Sequence, residues 1–196
     1  MTSMDRKAAQ RGSVRIIGGV WRRRRIAIPE GADLRPTPDR VRETLFNWLA
    51  PVLPGADCLD LYAGTGALAF EALSRGARHA VLVERQPRAV AALERLKREL
   101  DAPAGIVAAD AAAFLRDWGR GPAFDIVFVD PPYAEPVGPV LDLLQGVLKP
   151  GARVYLERDR GKPWPETEGL EWTRRATAGA VAFGLAEARA ALDRAR

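Results

Sequence analysis

Cys58-Leu59-Asp60-Leu61-Tyr62-Ala63-Gly64-Thr65-Gly66-Ala67-Leu68-Ala69-Phe70-Glu71-Ala72-Leu73-Ser74 is an apolar run, a turn with two glycines and a second apolar run. Cys58 to Tyr62 has the length of a short buried strand, and Gly66 to Ser74 reads as a helix. Downstream the same alternation repeats. Strands are expected at Ala80 to Glu84, Gly105 to Ala109, Phe124 to Val129 and Ala152 to Leu156, and helices at Pro87 to Leu100, Ala111 to Trp118 and Val137 to Leu148. Leu170 to Ala186 reads as a closing pair of strands. Strands apolar on both faces, alternating with helices, predict an α/β fold whose mostly parallel sheet is covered by helices on both faces. Ligands of such sheets bind outside the carboxyl ends of the strands, near the switch in strand order. The residues closing each strand are therefore the candidates for chemistry.

Upstream, Thr37 is expected to cap a helix that begins at Pro38. Val41, Leu45, Trp48 and Leu49 share one face of it, and Pro51 and Pro54-Gly55 end it. Residues 13–28 read as a hairpin turning at Gly18-Gly19, with Trp21 to Ile28 as its second arm. Residues 1–12 are polar, charged and without periodicity, so disorder is expected there. The chain divides into a disordered N-terminus (1–12), a basic hairpin extension (13–33) and a single domain (34–196).

At 196 residues with 47% apolar and 28% charged side chains, the chain can bury a sizeable core. One cysteine (Cys58) and one histidine (His79) exclude a disulfide framework and argue against a metal site. Cys58 reads as core packing and His79 as a surface turn residue. No apolar stretch is long enough to span a bilayer, and Met1 to Gln10 lacks a signal-like apolar segment, so a cytoplasmic protein is expected. The net charge is +5, yet residues 1–42 alone hold eleven basic against four acidic side chains. A basic lobe on a near-neutral body suits a polyanion, although a charge run is also an ordinary solvated face.

Four strand ends carry candidate groups. Gly64 and Gly66 can bring backbone amides close to a ligand, although a glycine pair is often only a turn. With Ala69 in place of a third glycine and no Gly-Lys-Ser/Thr, neither a full dinucleotide fingerprint nor a triphosphate loop is present. Glu84, eighteen residues after Gly66, stands where an acid accepts from ribose hydroxyls. Asp110 can accept from an adenine amine, or cap the helix that follows, or both. Asp125-Ile126-Val127-Phe128-Val129-Asp130-Pro131-Pro132-Tyr133 delivers a carboxylate into a corner whose prolines offer no N–H. Such a corner presents only acceptors. Two acceptors on the hydrogens of a conjugated amine favour a pyramidal nitrogen whose lone pair can meet an electrophile. Tyr133 is placed to stack on a flat ring.

Asp130-Pro131-Pro132-Tyr133 resembles the Asp/Asn-Pro-Pro-Tyr/Phe motif of S-adenosylmethionine-dependent amino-methyltransferases, and Tyr62-Ala63-Gly64-Thr65-Gly66 resembles their cofactor turn. Arg15-Ile16-Ile17-Gly18-Gly19, the block Leu34 to Asn47, Gly66-Ala67-Leu68 and Glu71 to Ala77 are similar to the bacterial 16S ribosomal RNA guanine-N2 methyltransferases of the guanine-966 type. The resemblance covers residues 13–133 strongly and the last third weakly; Pro38 stands where that family more often has threonine. It implies a Rossmann-like class I methyltransferase fold with a seven-stranded sheet. It implies cofactor contacts from Tyr62, Ala63, Gly64, Thr65, Gly66, Glu84, Arg85, Asp110, Ala111 and Asp130, and catalysis by Asp130, Pro131, Pro132 and Tyr133 without a metal. Ribosomal RNA contacts are implied for Arg15, Trp21, Arg22, Arg23, Arg24 and Arg25, with Arg35 and Arg40 in the same set; Arg42 also lies near the pocket, its role open. The implied partner is 16S rRNA in an assembling 30S particle, met by a monomer away from membranes. An amino-methyltransferase of DNA or of a protein glutamine, or a non-catalytic RNA-binding assembly factor, would fit parts of the same pattern.

Overall fold

The computed structural model describes residues 12–29, 37–119, 121, 123–132 and 135–189. Tyr133 and Arg35 lie outside the described residues, as do residues 1–11 and most of the segment joining the hairpin to the first helix.

A seven-stranded sheet organises the chain. In sequence order its elements are β3 (Asp57–Asp60), α2 (Ala67–Ser74), β4 (His79–Glu84), α3 (Pro87–Leu100), β5 (Ala104–Ala108), α4 (Ala111–Asp117), β6 (Phe124–Val129), α5 (Gly138–Leu143), β7 (Leu148–Asp159), β8 (Leu170–Ala178) and β9 (Val181–Ala188). Helix α1 (Asp39–Leu49) precedes them. The strand order is β5-β4-β3-β6-β7-β9-β8, parallel from β5 to β7 and antiparallel for the last two. After β3 the chain winds outward to β5, then returns to place β6 on the other side of β3. The switch point thus falls between β3 and β6, and loops leaving their carboxyl ends diverge there.

Alternating residues feed two cores. Cys58, Leu82, Ile126, Phe128 and Tyr155 pack under α1, α2 and α3. Leu59, Val81, Val127, Val129, Val154 and Leu156 pack under α4 and α5. The expected Rossmann-like α/β sheet with helices on both faces is the observed fold.

Several boundaries differ from the sequence reading. The helix expected to reach Leu148 ends at Leu143, followed by one tight turn over Leu144–Gly146, because Leu148 already pairs with Phe124. β7 is more than twice the expected length, with an irregularity between its two pairings to β6. His79 opens β4 rather than sitting in a turn. Thr37 does not cap α1: Pro38 holds the cap position without a side-chain hydrogen bond, and the Thr37 hydroxyl donates to Asp130 instead.

The N-terminal segment pairs as expected, but with only three residues on each side: β1 (Ser13–Arg15) and β2 (Arg25–Ala27). Trp21 to Arg24 therefore lie in the connecting turn rather than on the second strand. The turn departs from a tight hairpin because it docks on α2. Ile17 and Gly18 amides donate to the Glu71 carboxylate at 2.7 and 2.8 Å. Ser74 donates to the Gly18 carbonyl and accepts from the Trp21 amide, and Val20 donates to the Ser74 carbonyl. Gly19 makes this approach possible: its φ is +76°, and a Cβ there would lie 1.7 Å from the Ser74 carbonyl oxygen.

Candidate active site

The carboxyl ends of β3, β4, β5 and β6 open into one cleft of about 560 Å³. Its first wall is the turn after β3. Gly64 and Gly66 adopt φ of +54° and +79°, and a Cβ on Gly66 would meet the Phe70 ring at 2.6 Å. A larger residue there would be strained and would push into α2, so the glycine is required by geometry. Glu84, buried at the end of β4, holds this turn in place: one oxygen accepts from the Gly64 amide at 2.8 Å and the other from the Gln86 amide at 2.7 Å. Each oxygen keeps a second acceptor site.

Asp110 caps α4 with one oxygen, taken by the Ala112 and Ala113 amides. Its other oxygen faces Arg85, which also pairs with Glu135 at 2.6 Å. Both readings of Asp110 are compatible with this geometry, because it also lines the cleft beside Ala111 and Arg85. Tyr62 and Ala63 line it too, and burial, with Glu135 and Asp110 nearby, pushes the Tyr62 phenol up to about 12. At neutral pH it remains a protonated donor.

Asp130, Pro131 and Pro132 leave β6, the neighbour of β3, and line the same cleft as the glycine turn. The Thr37 hydroxyl donates to Asp130 Oδ2 at 3.1 Å. Burial first, then the charge of Glu157, raises the Asp130 carboxyl well above its ordinary value; the Thr37 hydroxyl opposes this and Asp60 adds to it. Among the described residues, no cluster of acids, cysteines or histidines has a metal-holding arrangement.

Sequence reasoning missed Thr37, Asp60 and Glu157 in the cleft wall. It also missed the β8–β9 turn, which brings Ala178, Gly179, Ala180 and Val181 to the same cleft from the far end of the chain. Asp60 sits on the apolar strand and was legible only as an acid out of place. Burial pushes it up to about 7 from 3.8, against the pull of the Tyr62 and Ala69 amides, and its Oδ1 has no hydrogen-bond partner. The folded chain thus binds more protons than the unfolded chain between these values, so this residue's contribution to stability falls as pH rises and the penalty is complete above about 7. Asp60→Asn is expected to raise stability above neutrality by up to about 4 kcal/mol and to do nothing near pH 4. Thermal melts across pH read this directly; parallel curves for the two proteins would contradict it.

The basic turn is separate from the cleft. Arg22, Arg23, Arg24 and Arg25 are all exposed, and none of them is in an ion pair among the described residues. Trp21 is half-buried against the core, and Arg15 pairs with Asp39 at 3.0 Å. Arg40 is exposed on α1, whereas Arg42 is fully buried and belongs to the core rather than to a pocket rim.

The family described as conserved hypothetical protein 95 matches residues 14–187. Ribosomal RNA small subunit methyltransferase D of Escherichia coli is 44% identical over 181 residues, covering 89% of each chain. Its Haemophilus influenzae namesake is 37% identical, covering 89% of this chain and 94% of the relative. The chain belongs to the ribosomal RNA small subunit methyltransferase D family. The solved structure of the Escherichia coli protein yhhF superposes with a TM-score of 0.84 at 42% identity, over 91% of this chain and 99% of that one. In this family member the cleft, its glycine turn and its proline corner therefore sit in a methyltransferase fold, as the resemblance implied.

Proposed function

We propose that the protein transfers a methyl group from S-adenosylmethionine to the exocyclic N2 amine of a guanine in 16S rRNA, of the guanine-966 type. The observation that carries this is one shared cleft: the acceptor corner Asp130-Pro131-Pro132 after β6 and the turn Tyr62 to Gly66 after the neighbouring β3 line it together, with Glu84 and Asp110 beyond that turn at the ends of β4 and β5. The residues present fit the cofactor. A cradle that only glycine can line, acids at the ends of β4 and β5, and the unpartnered Asp60 Oδ1 supply groups for a nucleoside carrying hydroxyls, an amine and a cation. S-adenosylmethionine, when bound, supplies an electrophilic methyl on a sulfonium.

The chain's own work is orientation. Asp130 and the Pro131 carbonyl accept the two amine hydrogens and turn the nitrogen lone pair toward the methyl. The amine nitrogen would exchange one of its hydrogens for the methyl that the sulfonium supplies, and the proton released would pass to the Asp130 carboxylate, the basic one of the two acceptors. Tyr133 follows the corner in sequence and is the candidate to stack on the base. In this role the protein works in the cytoplasm, as a monomer, on rRNA in an assembling small-subunit particle.

Transfer of a labelled methyl group to small-subunit particles, naked 16S rRNA, DNA and protein tests the reading. Counts in RNA, mapped by mass to the N2 of one guanine, are expected; counts only in DNA or protein overturn it. The exposed turn is the proposed phosphate contact. Replacing Arg22, Arg23, Arg24 and Arg25 with alanine is expected to weaken RNA binding and to flatten the slope of log affinity against log salt by about 3. An unchanged slope would return the run to an ordinary solvated surface.

A further inference from the structure

Glu157 is a carboxyl in the cleft wall, 5% exposed, that the chemistry above does not use. In the parallel pairing of β6 with β7, Phe128 lies opposite Tyr155 and Val129 opposite Leu156. One residue further along come Asp130 and Glu157, on the face that carries Phe128 and Tyr155. Two carboxyls are thus presented side by side on neighbouring strands. The Thr37 hydroxyl lies within hydrogen-bonding reach of both, but has one proton to give. The Tyr155 hydroxyl donates to Glu157 Oε2 at 2.9 Å and fixes that carboxyl from behind.

Ionised, the two carboxyls offer acceptors only, and a pair of donors set against them favours that form. The edges of the amino bases differ in what they set beside the amine. Guanine places N1–H next to its N2 amine, so these two neighbouring groups are both donors. Adenine and cytosine place a bare ring nitrogen next to theirs, an acceptor that a carboxylate repels and leaves unpaired.

We propose that Glu157 is a specificity-determining residue that accepts the N1–H of guanine beside the amine held by Asp130. It thereby selects guanine over adenine and cytosine. This rests on the reading of the cleft as a nucleobase site and names the base edge that the site accepts.

The probe is 2-aminopurine, which keeps the amine at C2 but has a bare acceptor at N1. A ribosomal RNA fragment that the wild type methylates is made with guanine or with 2-aminopurine at the target position, and kcat/KM is measured for each with the full-length protein. The wild type is expected to prefer guanine by roughly ten- to a hundredfold. Glu157→Gln, whose amide can donate to a bare N1, is expected to narrow that preference about tenfold or more, with cofactor affinity unchanged. The ratio is internal to each protein, so a partly folded variant does not distort it. Where turnover is too slow, fragment affinity in the presence of S-adenosylhomocysteine gives the same ratio. The same ratio in wild type and variant, with guanine methylated normally by the wild type, overturns the role of Glu157 alone. A wild type that methylates no RNA overturns the nucleobase reading and this role with it.

Discussion

Asp130→Ala is expected to lower methyl transfer by about a thousandfold or more while leaving S-adenosylmethionine affinity within a fewfold of the wild type. The two halves of this expectation come from different parts of the cleft. Asp130 is one of ten residues assigned to the cofactor, and among the described residues the turn after β3, Glu84 and Asp110, which carry most of that assignment, make no hydrogen bond to it. Asp130 is bonded instead to Thr37, at the other wall. Removing its carboxyl leaves the amine with one acceptor and no imposed geometry, a loss felt in the transition state rather than in binding. Asp130→Asn keeps an acceptor oxygen and removes the charge, so its activity is expected to fall between. The pH profile separates them further. The wild-type carboxyl is raised well above its ordinary value, so its ionised form is lost, as pH falls, at a higher pH than for an exposed aspartate. The acid limb of the wild-type profile should lie correspondingly high, and Asp130→Asn should flatten it. Near-normal turnover by Asp130→Ala in single-turnover assays with excess enzyme would remove Asp130 from the chemistry.

Much of this architecture is legible in the sequence because it rests on local pattern. Short apolar strands, a strand-to-helix turn with two glycines and a proline corner after β6 each declare themselves within ten residues. What is not legible depends on where separate segments meet. Thr37, bracketed by prolines, has every mark of a helix cap, yet its hydroxyl is spent on a residue 93 positions away. Glu157 ends the apolar run Val154-Tyr155-Leu156 as any strand-end acid might. Only the register of β6 against β7 puts it beside Asp130. The arginine run was visible, but its placement in a docked turn was not, because that placement is made by Glu71 and Ser74 of α2. Arg42 shows the reverse: the sequence places it near the pocket with its role open, and the fold buries it completely in the core. A lone acid inside Ala67-Leu68-Ala69-Phe70-Glu71-Ala72-Leu73 was the one local hint that such a partner was needed.

That buried acid carries the largest expected effect on stability. Glu71 and Arg42 are both wholly inaccessible to solvent. The Glu71 carboxylate takes the Ile17 and Gly18 amides and the Arg75 Nε at 2.6 Å, with Arg42 Nη1 3.6 Å away. Arg42 in turn donates to the Arg15 carbonyl at 2.8 Å and to Asp39 at 2.6 Å, while its Nε and Nη1 have no hydrogen-bond partner. The charge of Arg42 is therefore shared between the partly exposed Asp39 and, deeper in the core, Glu71. Glu71→Ala would take the buried anion from Arg42 and Arg75, leaving Arg42 only the partly exposed Asp39, and would orphan two backbone amides, a loss of about 3–5 kcal/mol. For a domain of this size that corresponds to a fall in Tm of roughly 6–20 °C. The combined replacement Arg42→Met with Glu71→Leu removes both charges at similar volume and is expected to recover part of the loss. It does not restore acceptors for the Ile17 and Gly18 amides. The double variant should therefore melt between Glu71→Ala and the wild type and bind RNA more weakly than the wild type, because the turn carrying Arg22 to Arg25 has lost its Glu71 anchor on α2. Melting curves and RNA affinity measured on the same three proteins separate the two roles. A Glu71→Ala protein that melts within about 2 °C of the wild type would mean that the turn, and not this pair, holds the N-terminal segment to the domain.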